Sequence, residues 1–96
     1  MRSVYLAFYD VAEPKRLRRM FRTMKGYGDP LQYSVFICVL SPEEKLVLVS
    51  KAKDVINQRE DRFMLARIGP EEGKGKEALE FLGTTLSVQR RHCVVV

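Results

Sequence analysis

The chain has 96 residues, of which 46% are apolar and 30% are charged, and its formal net charge is +5. This length supports one hydrophobic core rather than two, so we expect a single domain over residues 1–96. The composition excludes a disordered or fibrous class. The longest apolar runs fall short of the roughly 18 residues of a membrane span, and the N-terminus lacks a signal-peptide pattern. We therefore expect a cytoplasmic protein without membrane contact.

The first forty residues predict a strand, a helix and a second strand. Ser3–Asp10 is rich in aromatic and β-branched residues and predicts a buried strand. The following helix has Pro14 at its first position, and Gly26 and Gly28 lie beyond its end. Its apolar stripe, at helical spacing, consists of Leu17, Met20, Phe21 and Met24. A second strand is predicted over Leu31–Leu40.

A second helix and a third strand follow. Ser41, Pro42 and Glu44 combine an N-cap, a first-position proline and a capping box. The helix is predicted to end near Asn57, and its apolar side consists of Leu48, Val49, Ala52, Val55 and Ile56. Arg62–Ile68 then alternates enough to predict the third strand.

The last third of the chain has a weaker pattern. Residues 69 to about 77 contain glycine, proline and charges without periodicity, which predicts a flexible connection. A short strand, Ala78–Leu82, is predicted to give the sheet its fourth member. Cys93–Val96 predicts an extra C-terminal strand, for which a neighbouring protomer is one possible pairing site. We assign the chain to the α+β class, as a ferredoxin-like β-α-β-β-α-β sandwich with both helices on one face of an antiparallel sheet.

All of the excess positive charge lies in the first helix. Between Glu13 and Lys25 there are six basic residues and one acid, and the rest of the chain is neutral. Such uncompensated charge on one helix favours a polyanionic partner, of which nucleic acid is the commonest. The residues assigned to nucleic-acid binding are Lys15, Arg16, Arg18, Arg19 and Arg22. The alternative is a helix face that is merely solvated.

Asp10 is the main candidate for chemistry. It closes an apolar strand, where a carboxylate needs water, a partner or a metal. One reading is that Asp10 supports the following turn. The other is that it binds a hard cation such as Mg²⁺, which prefers carboxylate oxygen. A twofold homodimer would supply a second Asp10 to the same ion.

The two cysteines predict no metal site. Cys38 and Cys93 lie far apart, and His92 is the only further candidate ligand nearby. We expect both cysteines to be small buried apolar residues.

Three segments together resemble a known family. They are Tyr9-Asp10 at the end of the first strand, Gly26-Tyr27-Gly28 after the basic helix, and Gln32-Tyr33-Ser34-Val35-Phe36. This combination resembles the small CRISPR-associated endoribonuclease family, the lesser partner of the adaptation integrase. The likeness covers roughly residues 3–68.

The resemblance implies both an activity and a second role. It implies a homodimer of ferredoxin-like domains that binds Mg²⁺ between its two copies of Asp10 and hydrolyses phosphodiester bonds of RNA or DNA. It also implies a role in spacer acquisition, in which the protein lies between integrase dimers and holds the DNA fragment. Because the second role does not need catalysis in all members of the family, a catalytically silent DNA-bridging scaffold is the alternative.

The resemblance also implies residue roles. Asp10 is the metal ligand and Tyr9 its neighbour, of catalytic or structural importance. Arg18 and Arg19 match positions that meet phosphate, and Arg19 is the arginine assigned to catalysis. The motif of the dimer region contains Ser34 and Phe36. One position departs from the family, because Leu17 stands where some members have arginine.

Overall fold

The computed structural model of the protein describes residues 1–72, 79–83 and 94–95. Two helices and six strands follow one another along these residues. The strands are β1 (Ser3–Asp10), β2 (Gly28–Gln32), β3 (Val35–Leu40), β4 (Arg62–Pro70), β5 (Glu80–Phe81) and β6 (Val94–Val95). The helices are α1 (Pro14–Lys25) and α2 (Pro42–Val55). Neither helix of this described part has the length and hydropathy of a membrane span.

Four of the strands form one antiparallel sheet in the order β2-β3-β1-β4. Along the chain the order β1-α1-β2-β3-α2-β4 is the split β-α-β arrangement of a ferredoxin-like fold. The predicted α+β class and ferredoxin-like topology are therefore confirmed.

Both helices pack on the same face of this sheet. Because side chains alternate across a strand, β1 directs Tyr5, Ala7 and Tyr9 into the main core, where they join Met20 of α1 and Leu48 of α2. The other face carries a smaller buried cluster. It consists of Val4, Leu31 and Ile37, with Leu6, Val35, Val39, Ile68 and Leu79 packed against it. The face opposite the helices is called the open face below.

The helix starts agree with the sequence. The Glu13 side chain caps α1 by accepting a hydrogen bond of 2.8 Å from the backbone N–H of Arg16. The predicted capping box of α2 is confirmed, because Ser41 Oγ accepts from the Glu44 N–H at 3.1 Å and Glu44 Oε1 accepts from the Ser41 N–H at 2.8 Å.

The prediction of one strand over residues 31–40 is wrong, because this region is a hairpin. Gln32 pairs with Val35, so the chain reverses through a two-residue turn at Tyr33 and Ser34. The first hairpin strand begins earlier than predicted, at Gly28, where a Cβ atom would lie 2.3 Å from the Ile37 carbonyl oxygen. Glycine is required there by this close approach to β3 rather than by the end of a helix.

The segment Ala78–Leu82 is not the fourth strand of the main sheet, and that prediction is also wrong. β4 takes the edge position beside β1, and β5 pairs in parallel with β6 in a separate two-stranded sheet. The described part of the predicted C-terminal strand thus pairs within its own chain. Cys93 and Val96 lie outside the described residues. So do residues 73–78, which include most of the predicted flexible connection, whereas Gly69 and Pro70 still belong to β4.

Candidate functional site

Asp10 lies at the end of β1 on the open face. Its Cα position is paired with Arg62 of β4, and Phe8, two residues earlier on the same face, is paired with Met64. The Asp10 side chain is exposed, so water and dissolved ions reach its carboxylate. A shallow pocket of about 260 Å³ surrounds it. The pocket is lined by Phe8, Tyr9, Asp10, Ser34, Val35, Arg62 and Met64.

Tyr9 belongs to the other face. Its side chain is only 5% exposed and stacks on Phe36 in the helix-side core, with ring centroids 6.3 Å apart. Its hydroxyl donates a hydrogen bond to the carbonyl oxygen of Tyr33, and its backbone N–H donates to the carbonyl oxygen of Ser34 at 3.1 Å. Burial raises the pKa of the Tyr9 phenol to about 12. Through these two hydrogen bonds, Tyr9 fixes the β2–β3 turn beside Asp10.

The two residues assigned to the dimer region are separated in the structure. Ser34 is half-buried in the β2–β3 turn and lines the pocket of Asp10. Phe36 is fully buried under α1, where its ring meets Phe21 edge-on at 5.4 Å. Ser34 is thus at the candidate site, whereas Phe36 supports it from the core.

Among the residues that the structure describes, Asp10 is the one carboxylate that lines this pocket. Within the described residues no three His, Cys, Asp or Glu side chains gather into a metal-binding cluster. The ion pairs found in that same part of the chain do not involve Asp10. An exposed carboxylate of this kind fits Mg²⁺ as one ligand of an octahedron that water, phosphate or a second chain completes. Arg62, opposite Asp10 in the register, adds positive charge that favours a phosphate beside the cation.

Four of the five cations assigned to nucleic-acid binding lie on the outer surface of α1. Their side chains are exposed, and the described residues place no carboxylate within ion-pair distance of them. They are Lys15, Arg18, Arg19 and Arg22. This surface, called the basic face below, keeps the concentrated positive charge that the sequence indicated.

Arg16 is engaged inside the protein instead. Its Nε lies 2.8 Å from Oδ2 of Asp61, whose side chain has no exposed area, and its Nη2 lies 3.0 Å from Oε1 of Glu60. The hydrogen bond from Arg16 holds the pKa of the Asp61 carboxyl well below its usual range. Arg16 is therefore not part of the basic face. No local pattern predicts this pair, because its members are 45 residues apart in the sequence.

Cys38 agrees with its prediction as a buried apolar residue. It has no exposed area, and burial raises the pKa of its thiol to about 12. A thiol that stays protonated at neutral pH is a poor nucleophile, so Cys38 contributes packing.

The β2–β3 turn connects the two regions of interest. Ser34 lines the pocket of Asp10, while its neighbour Tyr33 lines a groove with Arg18 and Arg22 of the basic face. These features define a ferredoxin-like α+β domain in which an exposed strand-end carboxylate and a cationic helix adjoin one turn.

Comparison with known proteins identifies the family. The family pattern described as CRISPR associated protein Cas2 matches residues 2–74. A Rhodospirillum rubrum protein, "CRISPR-associated endoribonuclease Cas2 1", is 35% identical over 92 residues, which are 96% of this chain and 89% of the relative. A Geobacter sulfurreducens protein, "CRISPR-associated endoribonuclease Cas2", is 32% identical over 96 residues and the full length of both chains. The chain belongs to the CRISPR associated protein Cas2 family.

Solved structures agree with this assignment. The crystal structure of Streptococcus pyogenes Cas2 superposes with a TM-score of 0.63 and 28% identity, over 66% of this chain and 82% of that one. A hypothetical protein from Thermus thermophilus, TT1823, superposes with a TM-score of 0.68 and 23% identity, over 73% of this chain and 96% of that one. The second likeness supports the fold alone.

Proposed function

We propose that the protein is a metal-dependent endonuclease that hydrolyses phosphodiester bonds of RNA or DNA. The observation that carries this proposal is the exposed carboxylate of Asp10 at the end of β1, next to the turn that also borders the basic face. The relatives' names, which specify endoribonuclease activity, support it. In this proposal the active form is a homodimer in which both copies of Asp10 bind one Mg²⁺ ion.

The chain's own residues would act mainly by binding and orientation. The basic face attracts the phosphate backbone, and its guanidinium groups match phosphate geometry. Arg19, which belongs to the basic face and not to the lining of the Asp10 pocket, would help to hold the phosphate backbone of the bound strand. When bound, the divalent ion would supply Lewis-acid catalysis and activate a water molecule. Tyr9 would hold the β2–β3 turn in place from the core side.

The proposal also includes a role in spacer acquisition beside the adaptation integrase. A catalytically silent scaffold that bridges DNA is the second candidate, and the charge distribution favours it specifically. The basic face lies on α1, whereas Asp10 lies on the open face of the sheet. Nucleic acid could therefore be held by α1 without any reaction at Asp10.

Cleavage by the Asp10→Asn variant distinguishes the two candidates. Labelled single-stranded RNA, single-stranded DNA and duplex DNA are incubated with Mg²⁺ or with EDTA. The nuclease proposal expects Asp10→Asn to lose roughly 100-fold or more of the cleavage rate, because a bound metal ion contributes several kcal/mol to the reaction. Binding should be retained.

The matched control is Asp54→Asn, which removes an exposed carboxylate from α2. It should cleave like the wild type. Cleavage that persists in Asp10→Asn or in EDTA would contradict the metal-nuclease proposal. Absence of cleavage in the wild type, with tight DNA binding, would support the scaffold.

A further inference from the structure

A groove on the helix side of the β2–β3 turn is apolar inside and cationic at its edge. Its volume is about 310 Å³, near the lower end of the roughly 300–1,000 Å³ typical of small-ligand pockets. It is lined by Leu17, Arg18, Phe21, Arg22 and Tyr33. Tyr33 is 68% exposed, although it is a large aromatic residue. Aromatic and arginine side chains together are typical of a binding surface rather than of a core.

The aromatic rings determine where an occupant can lie. The centroids of Phe21 and Tyr33 are 5.6 Å apart, with 47° between the ring planes. A flat ring inserted between two others needs roughly 7 Å, twice the van der Waals separation of carbon atoms. No ring fits between this pair, so an aromatic occupant has to stack on the outer surface that Tyr33 presents to solvent.

The charges determine what kind of occupant fits. The ion pairs within the described residues leave Arg18 and Arg22 without a carboxylate partner. Lys25 lies 5.8 Å from the Phe21 ring centroid and adds a third positive charge nearby. A suitable occupant is therefore both flat and apolar on one side and anionic on the other. A nucleotide with an unpaired base has this combination, since its base stacks and its phosphate binds arginine.

We infer that this groove binds an unpaired nucleobase on Tyr33, with the adjoining phosphate on Arg18 and Arg22. In a duplex the base faces are covered by neighbouring base pairs, so the groove selects single-stranded nucleic acid. The inference rests on the proposed nucleic-acid function and names its substrate class. Ser34, the neighbour of Tyr33 in the β2–β3 turn, lines the pocket of Asp10, so the groove and that pocket border the same turn.

Binding of an oligonucleotide that carries the fluorescent base 2-aminopurine tests this inference. The probes are a single-stranded DNA, the same sequence as RNA, and the fully paired DNA duplex. Wild-type protein should quench the fluorescence of the single strands, because stacking quenches this base. Tyr33→Ala should abolish the quenching and weaken single-strand binding about 5- to 100-fold, the range for loss of one base–aromatic stack. Duplex affinity should change less than about twofold.

Two controls separate stacking from structural damage. Tyr33→Phe keeps the ring and should bind like the wild type. Leu46→Ala removes another exposed large side chain, 70% exposed on α2, and should also bind like the wild type. The backbone carbonyl of Tyr33 accepts the Tyr9 hydrogen bond, so the alanine variant keeps that contact. A salt dependence equal to that of the wild type would show that the lost contact is uncharged.

The possible failures are distinguishable. Unchanged single-strand binding by Tyr33→Ala, or an equal loss for single strand and duplex, would overturn the inference while Asp10-dependent cleavage could still stand. A changed molecular mass of Tyr33→Ala in light scattering, with unchanged binding, would identify the groove as a contact between copies of the chain and overturn it too. Quenching that persists in Asp10→Asn, with no cleavage by the wild type, would keep the inference and reject the nuclease. Wild-type protein that binds no nucleic acid would reject both.

Discussion

The Arg16 guanidinium and the Asp61 carboxylate join the start of α1 to the residue before β4, with Nε and Oδ2 2.8 Å apart. Asp61 also accepts hydrogen bonds from the backbone N–H groups of Ala12, at 2.9 Å, and Asn57, at 2.8 Å. One buried carboxylate thus connects the loop after β1, the first turn of α1 and the loop after α2. Since the basic face depends on how α1 is placed, this pair is a structural basis for the charged surface.

Replacing Asp61 with asparagine should destabilise the fold. The change removes the negative charge that Arg16 faces. It also places an amide N–H₂ donor against groups that are themselves donors, which is costly in a buried position. We expect the melting temperature, followed by circular dichroism, to fall on the order of 10 °C. The control is the exposed Asp54→Asn. Equal melting temperatures for the two variants would show that the Arg16–Asp61 pair contributes nothing.

The same carboxylate should make stability depend on acid pH. The pKa of Asp61 is lowered in the folded protein, chiefly by its hydrogen bond from Arg16. A lowered folded pKa gives stability that is present above the unfolded value of about 3.9 and is lost as the pH falls through the folded pKa. The melting temperature should therefore fall below about pH 4. The melting temperature of Asp61→Asn should fall less steeply over that range. Parallel curves of melting temperature against pH for the wild type and the variant would contradict this linkage.

Charge on the basic face should determine the salt dependence of binding. Replacing Arg18, Arg19 and Arg22 with glutamine should reduce the slope of log affinity against log salt by up to about 0.9 per lost duplex phosphate contact. The slope is measured by fluorescence anisotropy on duplex DNA. The control makes the same change to glutamine at two other exposed cations, Lys53 in α2 and Arg59 in the loop after it. It should leave the slope unchanged. An identical slope for both variants would mean that the α1 surface is merely solvated.

The local patterns in the sequence were enough to predict most of the framework. The stripe containing Met20 and Met24 does face the core, and the Ser41 capping box does start α2. The sequence does not predict the turn at Tyr33 and Ser34, because it lacks the glycine, asparagine or aspartate that marks a two-residue hairpin loop, and the hairpin is closed by strand pairing instead. Residues 28–30 are not predicted as part of a strand because Pro30 argues against one, although an edge strand such as β2 tolerates proline.

The sequence predicts the candidate site only in part. Tyr9 and Asp10 are adjacent in sequence, and both were assigned to the site, yet neighbouring residues of a strand point to opposite faces. The alternation of side chains along a strand therefore predicts that Tyr9 and Asp10 lie on different faces. The pairing of Arg16 with Asp61 cannot be predicted in this way, because Asp61 comes from a distant loop whose position only the folded sheet determines.

Tyr9→Phe tests whether the Tyr9 hydroxyl is structural. The variant loses the hydrogen bond to the Tyr33 carbonyl, so the free energy of unfolding should fall by about 1 kcal/mol. Because burial raises the pKa of this phenol to about 12, it stays protonated between pH 6 and pH 9. The pH profile of cleavage should therefore keep its shape over that range. A cleavage rate lowered roughly 100-fold with unchanged stability would instead show general acid–base catalysis by Tyr9.

The last prediction concerns the homodimer that the shared Asp10 site requires. Met64 is 60% exposed on the open face, where it lines the pocket of Asp10 with the half-buried side chains of Phe8 and Val35. An apolar surface beside the single carboxylate favours twofold contact there, because that contact would bury Met64 and bring two Asp10 side chains together. Wild-type protein should then show about twice the chain mass of 11.1 kDa in light scattering.

Met64→Glu should convert this dimer to a monomer, since it places two like charges near the twofold axis in a surface that is otherwise apolar. Mg²⁺-dependent cleavage should be lost with the dimer, because each monomer keeps only one Asp10. Leu46→Glu is the matched control, as Leu46 is 70% exposed on α2, and it should leave both the mass and the cleavage unchanged. A Met64→Glu variant that remains dimeric would place the contact elsewhere. A monomeric variant that still cleaves would show that one Asp10 is sufficient and would reject the shared ion.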